Sequence, residues 1–393
     1  MTRHEPKLKL DQTRLVMTGF FSLKIKQVLL PSTIQRVLKF RLDLVYDTKY
    51  DTKQTVSLEA LPRALLQSVS LLKIPRRKAC RFDSGPGHQR KSTHISVTPP
   101  LLDSTWLSTT LKLWAISDLH VGVEKNRQAL TALSDFPDDW LILGGDICER
   151  VEDLEWVFAL CIKKFSKVIW VPGNHELWLV TQTEQQRGSP AKYAALVALA
   201  RKYGVVTPED PWLTYPITGH LIVPFFTLYD YSFRPANISR DQVIDWAMEE
   251  NCVCTDEVAI KATPFHSIDD WSRQRCEHTR TRLDNDLPTD ARTILINHFP
   301  LREDLVLIPR IPRFSPWCGT TQTEDWHLRY RADIVVSGHL HVRGTKTRDH
   351  TRFEEVSLGY ARQWDEAKGL KHYLRDLIPD PKAYDQTKFP ERT

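Results

Sequence analysis

The sequence predicts an α/β layered fold, and three observations carry that expectation. Apolar runs of strand length at residues 111–116, 140–143 and 168–171 each stop at a polar or Gly-rich turn. Helical stretches separate them, with Leu154, Val157, Phe158 and Cys161 at helical spacing within residues 151–165. The polar residues behind the three runs, Asp118, Asp146 and Asn174, recur every 28 residues, about one strand-helix unit.

The chain opens on a basic leader. Residues 1–105 hold 19 Lys and Arg against 8 Asp and Glu, whereas the remainder holds 35 against 41, so the net charge of +5 averages two unlike segments. No aromatic-basic interleaving or binding module marks the leader as a nucleic-acid surface. It reads as a solvated or poorly ordered extension, although a nucleic-acid partner is not excluded. Residues 61–72 suit a short helix. Arg76-Arg77-Lys78 and Gly85-Pro86-Gly87-His88 suit a connector, and Thr98-Pro99-Pro100 a domain boundary. Glu5 and Asp11 argue against a mitochondrial-type leader, and Lys24 and Lys26 interrupt the apolar stretch at 17–30. No run reaches the roughly 18 apolar residues of a membrane helix. The seven cysteines are odd in number and lack C-x-x-C spacing, which reads as reduced thiols in a cytoplasmic protein.

The main domain is expected over residues 106–364, with a charged tail over 365–393. Residues 111–116 form the first strand, ending in Ser117-Asp118-Leu119-His120, and 125–134 a helix. Residues 140–143 form the second strand, ending in Gly144-Gly145-Asp146. The third, 168–171, ends in Pro172-Gly173-Asn174-His175-Glu176. A long segment follows, with a helix at 192–202, strands at 212–217 and 220–228, and a polar, largely helical piece at 239–286. Strand 293–297 leads to His298. An Arg-rich connector (Arg302, Arg310, Arg313) precedes strand 333–337, which ends in Gly338-His339-Leu340-His341. Residues 353–358 make a final core strand.

Five strand ends therefore carry Asp118 and His120, Asp146, Asn174 and His175, His298, and His339 and His341. Ligand sites in open α/β sheets gather at the carboxyl ends of strands, so the five junctions can converge. Any one such Asp or His is ordinary turn or cap chemistry; seven candidate ligands, with His175 beside them, at five junctions are not. Oxygen and imidazole donors without thiolate suit Mn²⁺, Fe or Zn²⁺. The number of donors suits two divalent ions sharing a carboxylate, the arrangement that clamps both oxygens of a phosphoryl displacement.

The ordered blocks Asp-x-His, Gly-Asp, Gly-Asn-His-Glu, His and Gly-His-x-His resemble the calcineurin-like metallophosphoesterase superfamily over about residues 111–360. The resemblance implies a four-layer α-β-β-α sandwich, two mixed sheets flanked by helices. It implies one metal held by Asp118, His120, Asp146 and His341, and a second held by Asp146, Asn174, His298 and His339. A metal-bridging hydroxide would attack phosphorus in line, with His175 near the leaving oxygen. The stretch Gly145-Asp146-Ile147-Cys148-Glu149-Arg150 is similar to the Gly-Asp-x-x-Asp-Arg of phosphoprotein phosphatases. By that match Glu149 would orient His175 and Arg150 would bind phosphate, although Glu149 stands where that subgroup has Asp and Gly-His-x-His is foreign to it.

The expectation is thus a dinuclear phosphoesterase hydrolysing a phosphomonoester, with a phosphorylated small molecule as substrate. The alternative is a phosphodiesterase acting on a nucleotide or lipid-linked substrate. A metal-free interaction scaffold is a third reading, but scaffolds lose ligands and every ligand is present here. Arg302, Arg310 and Arg313 are candidate substrate contacts, as are Tyr229, Asp230, Tyr231 and Arg234.

Overall fold

The computed structural model describes residues 111–252 and 254–379, together with three leader strands at 13–16, 22–28 and 39–45. The chain divides into two units, Met1–Ser104 and Thr105–Thr393. In the first, β1 (Thr13–Val16), β2 (Ser22–Val28) and β3 (Lys39–Val45) pair antiparallel in that order. The helix expected at 61–72 and the connector behind it lie outside the described residues.

The second unit begins with β4 (Leu113–Ile116), α1 (Glu124–Ala132), β5 (Phe136–Leu143), α2 (Val151–Lys164) and β6 (Phe165–Trp170). Then follow α3 (Gln182–Arg187), α4 (Ser189–Lys202), β7 (Leu213–Thr214), β8 (Leu221–Pro224), α5 (Val243–Met248), α6 (Asp256–Ala259) and α7 (Ile268–Asp286). Last come β9 (Thr293–Ile296), α8 (Trp326–Arg329), β10 (Ala332–Ser337), β11 (Gly344–Arg348), β12 (Thr351–Glu355) and β13 (Arg375–Asp376). One sheet has the order β13-β4-β5-β6 and the other β11-β12-β10-β9-β8-β7. Central pairs are parallel, and β13, β7 and β11 join antiparallel at the edges. Both sheets are therefore mixed, as expected.

Alternation along the strands builds the layers. Leu113, Ala115, Ile142 and Ile169 from one sheet meet Ile222, Ile294, Ile296, Ile334 and Val336 from the other. Their neighbours Trp114, Ile116, Leu141, Leu143, Val168 and Trp170 face the opposite way, into a cluster with Leu154, Phe158, Tyr193 and Leu196 of α2 and α4. Val223, Leu295 and Val335 pack outward with Cys276 and Leu283 of α7 and Trp326 of α8. Helix, sheet, sheet, helix is the resulting order. Strands buried on both faces must be apolar at nearly every position, which is why they stand out in the sequence.

Two features differ from expectation. The segment expected as a charged, mostly helical or loose tail from 365 returns to the core: Leu370, Leu374, Leu377 and Ile378 are buried, and β13 extends the four-stranded sheet beside β4. Apolar residues hidden among charges carry it there. Strand β11, Gly-Thr-Lys-Thr-Arg, was absent from the sequence reading because a half-exposed edge strand carries no apolar run.

Candidate metal centre

The turns behind β4, β5, β6, β9 and β10 bring all seven expected ligand residues to one end of the two sheets. Asp118 (φ 53°), His120 (φ 39°), Asp146 (φ 53°), His339 (φ 72°) and His341 (φ 54°) occupy the left-handed region. Such backbone costs of order 1–3 kcal/mol per residue and persists only where its surroundings impose it. The glycines of the same turns make the close approach possible. A Cβ on Gly173 would run into the Asp146 carboxylate, and one on Gly338 into Ser117 and Asp118.

Two groups form. In the first, His341 Nε2 lies 3.0 Å from Asp118 Oδ1 and 3.2 Å from His120 Nε2. His341 Nδ1 donates to Gln363 Oε1 (2.9 Å), which turns Nε2 toward the group. Asp118 Oδ2 accepts from Ser117 Oγ (2.5 Å) and Ser357 Oγ (2.7 Å). In the second, His298 Nε2 lies 3.4 Å from Asp146 Oδ2, and His339 Nδ1 is 3.2 Å from Asn174 Oδ1. His298 Nδ1 donates to Gly144 O (2.9 Å). Asn174 is held in turn by Asp256, whose Oδ1 accepts from Asn174 Nδ2 (3.0 Å) and from Trp178 Nε1 (2.6 Å).

These contacts suit a cation. With Nδ1 donating to Gly144, the His298 Nε2 lone pair faces the Asp146 carboxylate, and two lone pairs repel unless a proton or metal ion lies between them. His298 Nε2, His339 Nε2 and His120 Nδ1 are buried without a hydrogen-bond partner. Asp118, His120 and His341 form one cluster able to hold an ion, and Asp146, His298 and His339 another. The hard oxygen and imidazole donor set fits a divalent ion of the Mn²⁺, Fe or Zn²⁺ type.

Electrostatics agree with the geometry. Burial would raise both carboxyls. The imidazoles of His341 and His298 beside Asp118, and of His298 and His175 beside Asp146, outweigh it and hold both well below the usual range. Burial pushes His120 down to about 4 and, together with His298, pushes His339 down to about 3, leaving neutral imidazoles. Burial opposes charge on His298, yet Asp146 and Asp118 lift it to about 10.

His175 stands apart in bonding. Its Nδ1 pairs with Glu149 Oε1 at 2.8 Å, and its Nε2 lies 3.9 Å from Asp146 Oδ2. Burial disfavours its charge, but Asp146 and Glu149 outweigh that and raise it to about 9. Trp178 stacks on its ring with centroids 3.8 Å apart. The pairing of Glu149 with His175 is the one the phosphatase-like block implies.

The other arginine and wall candidates lie differently. Arg150 is exposed, with Glu152 at 3.7 Å as its ion partner. Arg302 is paired with Asp304 (2.8 Å) and Asp349 (3.6 Å), and Arg313 with Glu249 (2.6 Å) and Glu250 (3.0 Å). Arg310 is exposed. Tyr229 and Tyr231 are buried in the core. Asp230 caps Ser232 and Thr320, and Arg234 bonds carbonyls of its own turn, so this quartet serves packing.

Glu176 closes the ligand-bearing turn behind β6. Its carboxylate is buried and accepts from three backbone amides: Asp146 N (2.9 Å), Gly173 N (2.8 Å) and Ile147 N (2.7 Å). It ties two ligand turns together. Asp256 was missed, since nothing local marks a carboxylate 82 residues from the amide it holds. Gln363 was missed for the same reason, since its turn carries no local mark of the histidine it holds.

Residues 111–343 match the calcineurin-like phosphoesterase family, and the chain belongs to it; it is a metallophosphoesterase, a hydrolase of phosphoric ester bonds. A curated relative is the [acyl-carrier-protein] phosphodiesterase PptH of Mycobacterium tuberculosis, 45% identical over 273 residues, 68% of this chain and 84% of the relative. The crystal structure of phosphopantetheinyl hydrolase PptH from that organism matches with a TM-score of 0.65 and 44% identity, covering 70% of this chain and 98% of the other. Among the described residues no helix is long and apolar enough to cross a membrane.

Proposed function

We propose that this chain is a dinuclear metal-dependent phosphodiesterase that releases the phosphopantetheinyl group from an acyl-carrier protein. The observation that carries the reading is 45% identity across 84% of a relative named for that reaction, in a chain that keeps every candidate ligand. The phosphomonoester reading ranked first from sequence gives way to the diester reaction for which that relative is named.

Asp118, His120, Asp146 and His341 would hold one ion, and Asp146, Asn174, His298 and His339 would hold the other. When bound, the pair supplies the Lewis acidity that activates water and neutralises the phosphoryl oxygens. The chain's own residues do the rest. Gln363, Gly144 and Asp256 fix the rotation of His341, His298 and Asn174. Glu149 holds the His175 Nδ1 proton, so the Nε2 proton is available to the carrier-side alkoxide as it departs. Trp178 covers the other face of that imidazole and shields it from water. Six unpaired cysteine thiols among the described residues support a reducing, cytoplasmic setting.

The test is Mn²⁺-loaded enzyme incubated with holo-acyl-carrier protein, followed by intact mass. Loss of the phosphopantetheinyl mass is the expected result. Turnover of phosphomonoesters with the carrier protein left intact would refute the proposal.

A further inference from the structure

The turn Tyr360-Ala361-Arg362-Gln363 is built onto the first ligand group. The Tyr360 ring stacks on His120 with centroids 4.5 Å apart and 21° between planes, and meets His341 edge-on at 5.0 Å. Gln363 Oε1 accepts from His341 Nδ1 (2.9 Å) and from Tyr360 N (2.7 Å). Gln363 N donates to Tyr360 O (2.8 Å), closing the turn, and Gly359 N donates to Asp118 O (3.0 Å) at its entrance. Helix α1 clamps the turn from outside. Asn126 Nδ2 donates to Gly359 O (3.0 Å), Trp364 Nε1 donates to Asn126 Oδ1 (2.9 Å), and Lys125 Nζ donates to Ala361 O (3.0 Å).

Arg362 therefore lies in a rigid turn between two residues whose side chains each touch candidate metal ligands, and its charge acts on the Tyr360 hydroxyl. It is exposed, and no carboxylate pairs with it among the described residues. The contrast is with Arg150, Arg302, Arg313 and Arg348, each of which has a carboxylate partner. A guanidinium presents planar paired donors that match phosphoryl oxygens. On a pre-organised turn whose neighbouring side chains touch the candidate ligands, a guanidinium with no carboxylate partner among the described residues has a strong partner in a substrate anion.

We propose that Arg362 is a substrate-binding residue that grips a non-bridging phosphoryl oxygen, the role the sequence resemblance assigns to Arg150. The inference deepens the proposed phosphodiesterase reading and rests on it only for the natural substrate. The test uses Mn²⁺-loaded full-length enzyme with bis(4-nitrophenyl) phosphate as substrate and inorganic phosphate as competitive inhibitor. Arg362→Ala raises KM and the phosphate inhibition constant about tenfold with little change in kcat, the pattern of lost uniform binding. Arg362→Lys restores part of the loss. Metal content by elemental analysis stays that of the wild type in both variants. Unchanged KM and inhibition constant in Arg362→Ala would overturn the inference, as would a loss of activity that follows a loss of metal. If the wild type fails on holo-acyl-carrier protein while the Arg362 effect on the synthetic diester and on phosphate persists, the natural substrate falls and Arg362 stands.

Discussion

Replacing Glu176 by alanine removes the acceptor for three buried backbone amides, at Asp146, Ile147 and Gly173. Each donor left without a partner costs about 1–3 kcal/mol. Part of that cost is offset, because burial and Asp146 raise the Glu176 carboxyl to about 7 from 4.5, a shift equivalent to about 3 kcal/mol of charge burial near neutral pH. The difference leaves Glu176→Ala less stable by up to about 6 kcal/mol. Glu176→Gln keeps one oxygen, enough for the two amides that share Oε2, and turns an NH₂ toward the Ile147 amide. It is therefore destabilised by less. Urea unfolding of metal-free protein measures both effects, and calorimetric Mn²⁺ titration should show weakened binding, since the Asp146 and Asn174 turns lose their common tie. Wild-type stability and metal affinity in Glu176→Ala would refute the argument.

Three further outcomes follow from the same geometry. His175→Ala should keep both metals and lose about 10²–10⁴-fold on diesters with alkyl leaving groups, but much less on bis(4-nitrophenyl) phosphate, whose leaving group departs without a proton; equal losses on both would remove the proton-donor role. In metal-free protein, NMR titration should place His175 near 9, and Glu149→Gln should lower it. Because its folded value lies above the unfolded 6.5, the stabilisation is full below about pH 6.5 and fades as pH rises toward 9, which pH-dependent unfolding of wild type and Glu149→Gln would reveal. A chain beginning at Ser104, where the first unit ends, should retain metal binding and turnover, as a steady-state assay would establish.

Much of this was legible because the same physics that buries the central strands writes them into the sequence. Strands β4, β9 and β10 and the C-terminal ends of β5 and β6 are covered on both faces, so each ends in an apolar run, and a site residue follows in the polar turn that stops it. Asp118, Asp146, Asn174, His298, His339 and His341 could be placed at strand ends on that basis alone. The partners that hold them could not. Asp256 reaches Asn174 across 82 residues, Gln363 reaches His341 from a turn with no apolar signature, and Glu176 bonds backbone atoms that carry no side-chain identity. Charge was misleading where pairing decides function. Arg302 and Arg313 looked available until Asp304, Asp349, Glu249 and Glu250 were seen beside them, whereas Arg362 sat in what read as the end of the domain. The return of Leu374, Leu377 and Ile378 to the core depends on an edge position beside β4 that only the assembled sheet provides.

The claim that two ions sharing Asp146 do the chemistry is tested most directly by stepwise reconstitution. Metal-free protein is titrated with Mn²⁺ while bound metal and bis(4-nitrophenyl) phosphate hydrolysis are followed together. The account predicts that activity rises with the second equivalent and plateaus at two per chain, and that Asp146→Asn binds less metal and stays inactive. Full turnover at one equivalent per chain would contradict it.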